Sequence, residues 1–276
     1  MNNPLLDFYR EKEIYVTLPT QGKWYKNKPK LTDDGEIGVM PMTMKDEMLL
    51  NIPDSLYNGE SLYEIFKSIV PDIIDPYEIS IPDVDVLLLA SKAVSNGPEL
   101  PIDARCPHCQ TLTSYSISLT KILSKVKKVE LDTEVEVKKL KIKMRPNTLA
   151  SVTASSMQSI ESARYILKMK KDDPEQNHDM IKRSLETATA AGIGVLADAI
   201  ESIELPNGTI VTDFDQILDW VKNSDANTIS VLKKLSVKMN DSGIEKTFSF
   251  TCGDEECNKE FVAPMEFNPA FFFTPR

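Results

Sequence analysis

Cys106-Pro-His-Cys109 and Cys252-Gly-Asp-Glu-Glu-Cys257 hold all four cysteines of the chain in two close pairs, with 142 residues between them. Zinc takes four thiolates in a tetrahedron at about 2.3 Å, and ligand pairs two to four residues apart, each on a tight turn, supply that geometry. Gly253, directly after the first ligand of the second pair, lets the backbone curl so that N–H groups point at sulfur. Four cysteines close the coordination shell, which marks a structural ion rather than a catalytic one. If one zinc ion collects Cys106, Cys109, Cys252 and Cys257, the fold must bring two distant segments together.

The flanks of both pairs read as strands. Tyr115, Ile117 and Leu119 alternate with polar residues after the first pair, while Thr247-Phe-Ser-Phe-Thr leads into the second and Glu260-Phe-Val-Ala leads out. The site is therefore expected to be split and zinc-ribbon-like, made by two distant hairpins. Three other readings compete with it. A redox Cys-Pro-His-Cys motif needs its first cysteine at a helix start after a strand, but the residues after Cys109 alternate like a strand. Disulfides suit an oxidising compartment, and Met1 to Arg10 lacks the basic start and apolar run of a signal peptide. A nucleic-acid-binding zinc ribbon would use the stretch from Lys121 to Arg145, where nine basic residues face four acidic ones. Against this, the second knuckle offers Asp254, Glu255, Glu256 and Glu260, opposed by Lys259 alone, and the net charge of −10 repels phosphate. A solvated face or an acidic protein partner also suits the basic stretch.

The rest of the pattern predicts an α+β fold: a mixed helical domain with short β-hairpins. Residues 1–43 read as an N-terminal arm with short strands at Ile14 to Leu18 and Ile37 to Met40. Residues 44–99 are helical: Leu62, Ile65, Phe66, Ile69 and Val70 line one face before Pro71. Ser80-Ile-Pro-Asp83 resembles a capping box that opens a second helix, with a buried stripe of Val84, Leu87, Leu88 and Val94 and a stop at Gly97. Residues 100–145 carry the first knuckle, a short helix at Ile122 to Val126 and a hairpin turning at Lys138-Lys139. Residues 146–243 read as a helical insertion, with helix to about Ile203 broken near Pro174, a type I′ hairpin at Asn207-Gly208, and short helices around Ile217 and Leu232. Residues 244–276 hold the second knuckle and an aromatic tail, and the five segments are expected to act as one interdependent unit.

That tail places four of the ten phenylalanines, Phe267, Phe271, Phe272 and Phe273, within seven residues. Three consecutive phenylalanines cannot all face one side of a strand, so a second apolar surface is required, in this protein or in a partner. Other chemistry is sparse. His108 lies between ligands and His178 at a helix start, and neither a Walker-type phosphate loop nor a nucleophile elbow is present. No catalytic residue or small-molecule substrate is indicated, and no run of about 18 apolar residues offers a membrane span.

Ile14-Tyr-Val-Thr-Leu-Pro-Thr-Gln-Gly-Lys-Trp-Tyr25, Val39-Met-Pro-Met-Thr-Met-Lys-Asp-Glu-Met-Leu-Leu50, the Pro53 to Gly59 turn and Cys106-Pro-His-Cys109 resemble, in residues and in order, the baseplate hub proteins of T4-like contractile-tailed bacteriophages. The resemblance implies a non-enzymatic protein that builds the central hub of the baseplate, as a structural component or an assembly factor. Its partners would be other hub and tail proteins, met in the host cytoplasm during assembly or in the virion baseplate. No catalytic residue is carried over. The motifs look like turn and packing signatures, with Gly22 and Trp24 in a strand-turn-strand and Thr43 and Asp46 at a helix start.

Overall fold

β-branched and aromatic residues predict the first two strands, and β1 (Ile14–Thr17) pairs antiparallel with β2 (Glu36–Val39), Ile14 opposite Val39. The computed structural model describes residues 5, 8–50, 59–131, 133–167 and 174–264, with backbone alone at 174–176. Among the described residues there are eight α-helices and four small antiparallel sheets, a mixed α+β fold.

Helix α1 (Met44–Leu50) starts at a reciprocal capping box. The Thr43 N–H donates to Asp46 Oδ2 at 2.8 Å, and the Asp46 N–H donates to Thr43 Oγ1 at 3.2 Å. Asp46 is buried and also accepts from Ser68 Oγ at 2.9 Å, which ties α1 to α2 (Glu60–Ile69). Arg10 reaches the same carboxylate at 3.4 Å. Helix α2 buries Leu62, Ile65, Phe66 and Ile69, the face its periodicity predicts, and ends before Pro71. Its N-cap, Gly59, has φ 75°, and a Cβ there would stand 2.4 Å from Thr153 Cγ2. Both the left-handed backbone and the close approach require glycine.

Helix α3 (Ile81–Asn96) runs from Ser80 to Gly97 as expected, but two details differ from the sequence reading. Ser80 makes no side-chain cap bond; its backbone is held by a bridge to Thr148, and Ile81 N–H donates to Asn147 O at 2.9 Å. In place of one buried stripe, every residue from Pro82 to Ser91 is buried, Asp83 and Asp85 included. The helix is central, with other elements on all sides, so a one-face pattern underestimates its burial.

After β3 (Glu99–Arg105), β4 (Leu112–Ser118) and α4 (Leu119–Leu123), the chain forms a four-stranded sheet. Its first hairpin, β5 (Glu134–Val137) and β6 (Leu140–Met144), turns at Lys138 and Lys139, both with positive φ, 50° and 68°. A helical hairpin, α5 (Leu149–Leu167) and α6 (Pro174–Asp198), separates these strands from β7 (Ile200–Glu204) and β8 (Ile210–Val211). The expectation of helix to about Ile203 is corrected: α6 stops at Asp198, and Ile203 sits opposite Ile142 across β6. The turn before β8 is also not type I′, which needs two residues at positive φ, because only Gly208 has one, at 84°. Helices α7 (Phe214–Lys222) and α8 (Ala226–Asn240) follow, each N-capped by an aspartate side chain, Asp213 and Asp225. The chain then enters β9 (Thr247–Thr251) and β10 (Glu260–Pro264).

Two cores result. The first gathers β1, β2, α2, α3, the β3–β4 hairpin, and Phe250 and Phe261 of β9 and β10. The second gathers Ile142, Met144, Leu196, Ile200, Ile203, Ile217, Val221, Leu232 and Met239. Its sheet takes two strands from either side of residue 146, so the 142-residue span between the cysteine pairs holds a packed α+β unit as well as helices. The loop after β1 bridges the cores. Thr20 and Tyr25 bond to Asp83 in the first, whereas Trp24, at φ 65°, packs on the second and donates its indole N–H to Glu201 Oε2 at 2.9 Å. Lys23 adds a bond to Leu131 O, and Val129 N–H donates to Pro19 O. Trp24→Ala is therefore expected to lower the unfolding free energy by about 2 kcal/mol in urea, and Trp24→Phe, which loses the N–H bond and part of the ring packing, by about 1 kcal/mol.

Candidate metal centre

Both cysteine pairs lie on hairpin turns, between β3 and β4 and between β9 and β10. In the first knuckle Cys106 N–H donates to Thr111 O at 3.0 Å and Gln110 N–H to Cys106 O at 2.9 Å. In the second Cys252 N–H donates to Lys259 O at 2.9 Å, and Asp254 Oδ1 accepts from Glu256 N–H at 2.9 Å and Cys257 N–H at 3.2 Å. The residue after the last cysteine of each knuckle, Gln110 or Asn258, takes a positive φ, 66° or 37°, to turn the chain back into its strand.

The four Sγ atoms lie within 4.8 Å of one another. Cys106 and Cys257 are 3.9 Å apart and Cys109 and Cys252 3.5 Å, each pair taking one sulfur from each hairpin. These separations are too long for a disulfide, at about 2.05 Å. They match the edge of a tetrahedron with zinc at its centre, about 3.8 Å for Zn–S of 2.3 Å. Cys106 and Cys252 are buried, Cys257 is half-buried and Cys109 is exposed. Thr111 Oγ1 donates to Asp254 Oδ2 at 3.2 Å across the site, and a Cβ on Gly253 would come within 2.7 Å of Thr113 Cγ2. Glycine at this position lets the two knuckles close on each other.

The sulfurs receive backbone N–H groups in the manner of zinc knuckles. Hydrogen bonds from the Thr111 hydroxyl, when it turns from Asp254 to the sulfur, and from the Thr111 N–H pull the Cys109 thiol down to about 6. The Asp254 N–H acts in the same sense on Cys252, but burial and hydrogen bonding to the neighbouring sulfurs outweigh it and push that thiol up to about 12. Lys259 N–H bonds Cys257, which is also raised on balance by burial and the neighbouring sulfurs. Four thiols this close share protons because they cannot all ionise without a cation among them. The donor set and its spacing fit zinc.

Among the described residues these four cysteines are the one group of His, Cys, Asp and Glu placed to hold a metal. His108 and His178 are both exposed. Phe267, Phe271, Phe272 and Phe273 lie outside the described residues. The basic stretch is split: Lys138 pairs with Asp225, Lys141 with Glu204 and Arg145 with Asp198, and this leaves Lys139 exposed on the hairpin turn, Lys143 half-buried, and a smaller exposed set at Lys121, Lys125, Lys127 and Lys128. Sequence reasoning placed Asp83 at a helix start and missed its role as a buried acceptor. Its carboxylate accepts the Thr20 N–H at 3.0 Å, the Thr20 hydroxyl, and the Tyr25 hydroxyl at 2.9 Å. An acidic residue inside the apolar run Ile81 to Ala90 is the signal that marks it.

The chain is thus an α+β protein in which two distant hairpins bring four cysteines together. A family model described as T4 bacteriophage base plate protein matches residues 13–273, and the chain belongs to that family. Membership gives it a structural or assembly role in the phage tail, among other tail proteins. Comparison with curated proteins and with solved structures returns no significant match. No described helix is long and apolar enough to cross a membrane.

Proposed function

We propose that this chain is a non-enzymatic protein of tail morphogenesis that acts in assembly of the baseplate central hub, as a structural component or an assembly factor, through protein–protein contacts. The family match over residues 13–273 carries this reading. The clustering of Cys106, Cys109, Cys252 and Cys257 supports it: they would hold a structural zinc ion that fixes the β3–β4 hairpin against β9–β10. Zinc supplies no reaction here; it neutralises the thiolates and joins segments far apart in the chain. Phe267, Phe271, Phe272 and Phe273 supply contacts to other hub or tail proteins, made in the host cytoplasm during assembly and retained in the virion baseplate if the chain is a component.

The test is recovery of the tagged chain from phage-infected cells, with identification of retained proteins and nucleic acid at two salt concentrations. Baseplate and tail proteins are expected to be retained at both. Retention of DNA or RNA that falls steeply with salt, without tail proteins, would favour the zinc-ribbon nucleic-acid module and overturn this reading.

A further inference from the structure

Between β4 and β9 lies a cleft of about 540 Å³, lined by Tyr115, Ile117 and Ile122 on one side and Phe248 and Phe250 on the other. The two strands meet near the cysteines, where Tyr115 donates to Thr251 O at 2.8 Å and stacks on Phe250 at 4.5 Å between ring centroids. Away from that point they belong to separate two-stranded sheets.

The register shows which backbone groups face the cleft. Neighbours in an antiparallel pair alternate between bonded and unbonded positions, and unbonded residues turn N–H and C=O to the opposite edge. Cys106 N–H bonds Thr111 O, and Pro101, which has no N–H, stands opposite Ser116. The bonded β4 residues are therefore Thr113, Tyr115 and Ile117, and Ser114, Ser116 and Ser118 point their backbone groups outward. Likewise Cys252 N–H bonds Lys259 O and Pro264 stands opposite Thr247, so Thr247, Ser249 and Thr251 point outward from β9. No described strand pairs with the outward groups of Ser114, Ser116, Thr247 and Ser249, whereas Thr251 O accepts from Tyr115 and the Ser118 C=O, at the N-cap of α4, serves that helix. The outer edges are treated differently. Pro101 and Pro264 each place a ring where the outer edge of β3 or β10 would offer an N–H, a common way to block strand addition. The inner edges carry no proline.

The α4 side of the cleft is positive. Lys121 and Lys125 line it, Lys127 and Lys128 follow, and no described residue forms an ion pair with any of the four, although Lys138, Lys141, Lys238 and Lys246 are all paired. Of the two carboxylates in the lining, Glu99 is engaged by Ser116 Oγ at 2.7 Å, and Glu245 adjoins β9. An incoming chain thus meets Lys121 on α4 and Lys125 just after it on one side, with Glu245 at the β9 end and Glu99, held by Ser116, beside β4.

We propose that this cleft receives an extended acidic segment of another tail protein, which pairs by its backbone with the β4 and β9 edges, packs apolar side chains on Tyr115, Phe248 and Phe250, and sets carboxylates against Lys121 and Lys125. Strand addition of this kind draws affinity from main-chain bonds and specificity from alternate side chains. The inference rests on the assembly role above only for the partner being a tail protein.

The probe is a fluorescent ten-residue peptide alternating glutamate with valine or phenylalanine, titrated onto the full chain by anisotropy. It is expected to bind at least tenfold more tightly than its lysine counterpart, more weakly as salt rises, and not at all when alternate peptide nitrogens are methylated. Lys121→Glu with Lys125→Glu is expected to weaken it at least tenfold with an unchanged circular dichroism spectrum, since both side chains are exposed. A photo-crosslinking residue in place of Ser249 should capture the peptide. Equal affinity for both peptides, indifference to the lysine changes, or crosslinks to residues 265–276 or to a second copy would overturn the proposal. Recovery of tail proteins from infected cells alongside failure of the peptide would remove this inference and leave the assembly role standing.

Discussion

Cys252→Ser is expected to release the metal from the chain, from about one zinc per molecule to none, and to lower the melting temperature by at least 10 °C. Structural zinc contributes about 10–16 kcal/mol in small zinc peptides, and a serine hydroxyl is a poor fourth ligand. Even half the lower figure, about 5 kcal/mol, corresponds to about 10–20 °C in a domain of this size. The loss should begin locally. Without the ion, the hairpins are held mainly by Tyr115, Phe250 and Phe261, whose ring contacts contribute about 0.5–1.5 kcal/mol per pair beyond their burial. The core around α3 has its own packing and should outlast them. Amide exchange at Cys106 and Cys252, whose N–H groups close the two knuckles, should therefore accelerate before exchange in α3 does. Elemental analysis and thiol titration of the native chain provide the check. A folded chain without metal, with four thiols reacting at once, would rule out a structural zinc.

How far the sequence revealed this arrangement depends on the reach of each signal. Local ones were legible: the spacing within each cysteine pair, the Thr43–Asp46 capping box and the periodic face of α2 need only near neighbours. β7 was not, because Leu196, Ile200 and Ile203 recur at helical spacing, and only pairing with Ile142 across β6 makes the last of them strand. The stretch from Ile14 to Tyr25 was recognisable as a motif without its reason being visible. Thr20 and Tyr25 are held by Asp83 and Trp24 by Glu201, partners 58 to 177 positions away. The cysteines form the exception: a pair-on-pair pattern announces a long-range contact, since neither half closes a metal shell alone.

Replacing Asp83 by asparagine is expected to stabilise the protein at pH 8 by up to about 3 kcal/mol and near pH 4.5 by only about 1 kcal/mol. Burial of the Asp83 carboxyl pushes it up to about 6 from an ordinary 3.8, despite three hydrogen bonds that favour the charged form. A raised carboxyl means that the folded chain keeps a proton the unfolded chain has released. Stability from this group is thus full below about pH 4, falls as pH rises to about 6, and stays reduced above it. Two units at about 1.4 kcal/mol each set the size of the loss. Asparagine is neutral throughout; its oxygen can still accept the Thr20 N–H, and its amide can donate to the Tyr25 hydroxyl. Asp83→Ala removes all three bonds and strands the Thr20 N–H and Tyr25 hydroxyl, so it is expected to destabilise at every pH by about 3 kcal/mol. Urea denaturation of wild type and Asp83→Asn between pH 4.5 and 8 isolates the effect, because Asp85, Lys246 and the cysteines are common to both and cancel in the difference. That difference should climb in favour of asparagine between pH 4.5 and about 6.5 and then level off. A difference independent of pH would mean that Asp83 is as acidic in the folded chain as in the unfolded one, and that its three hydrogen bonds, rather than its burial, set its charge.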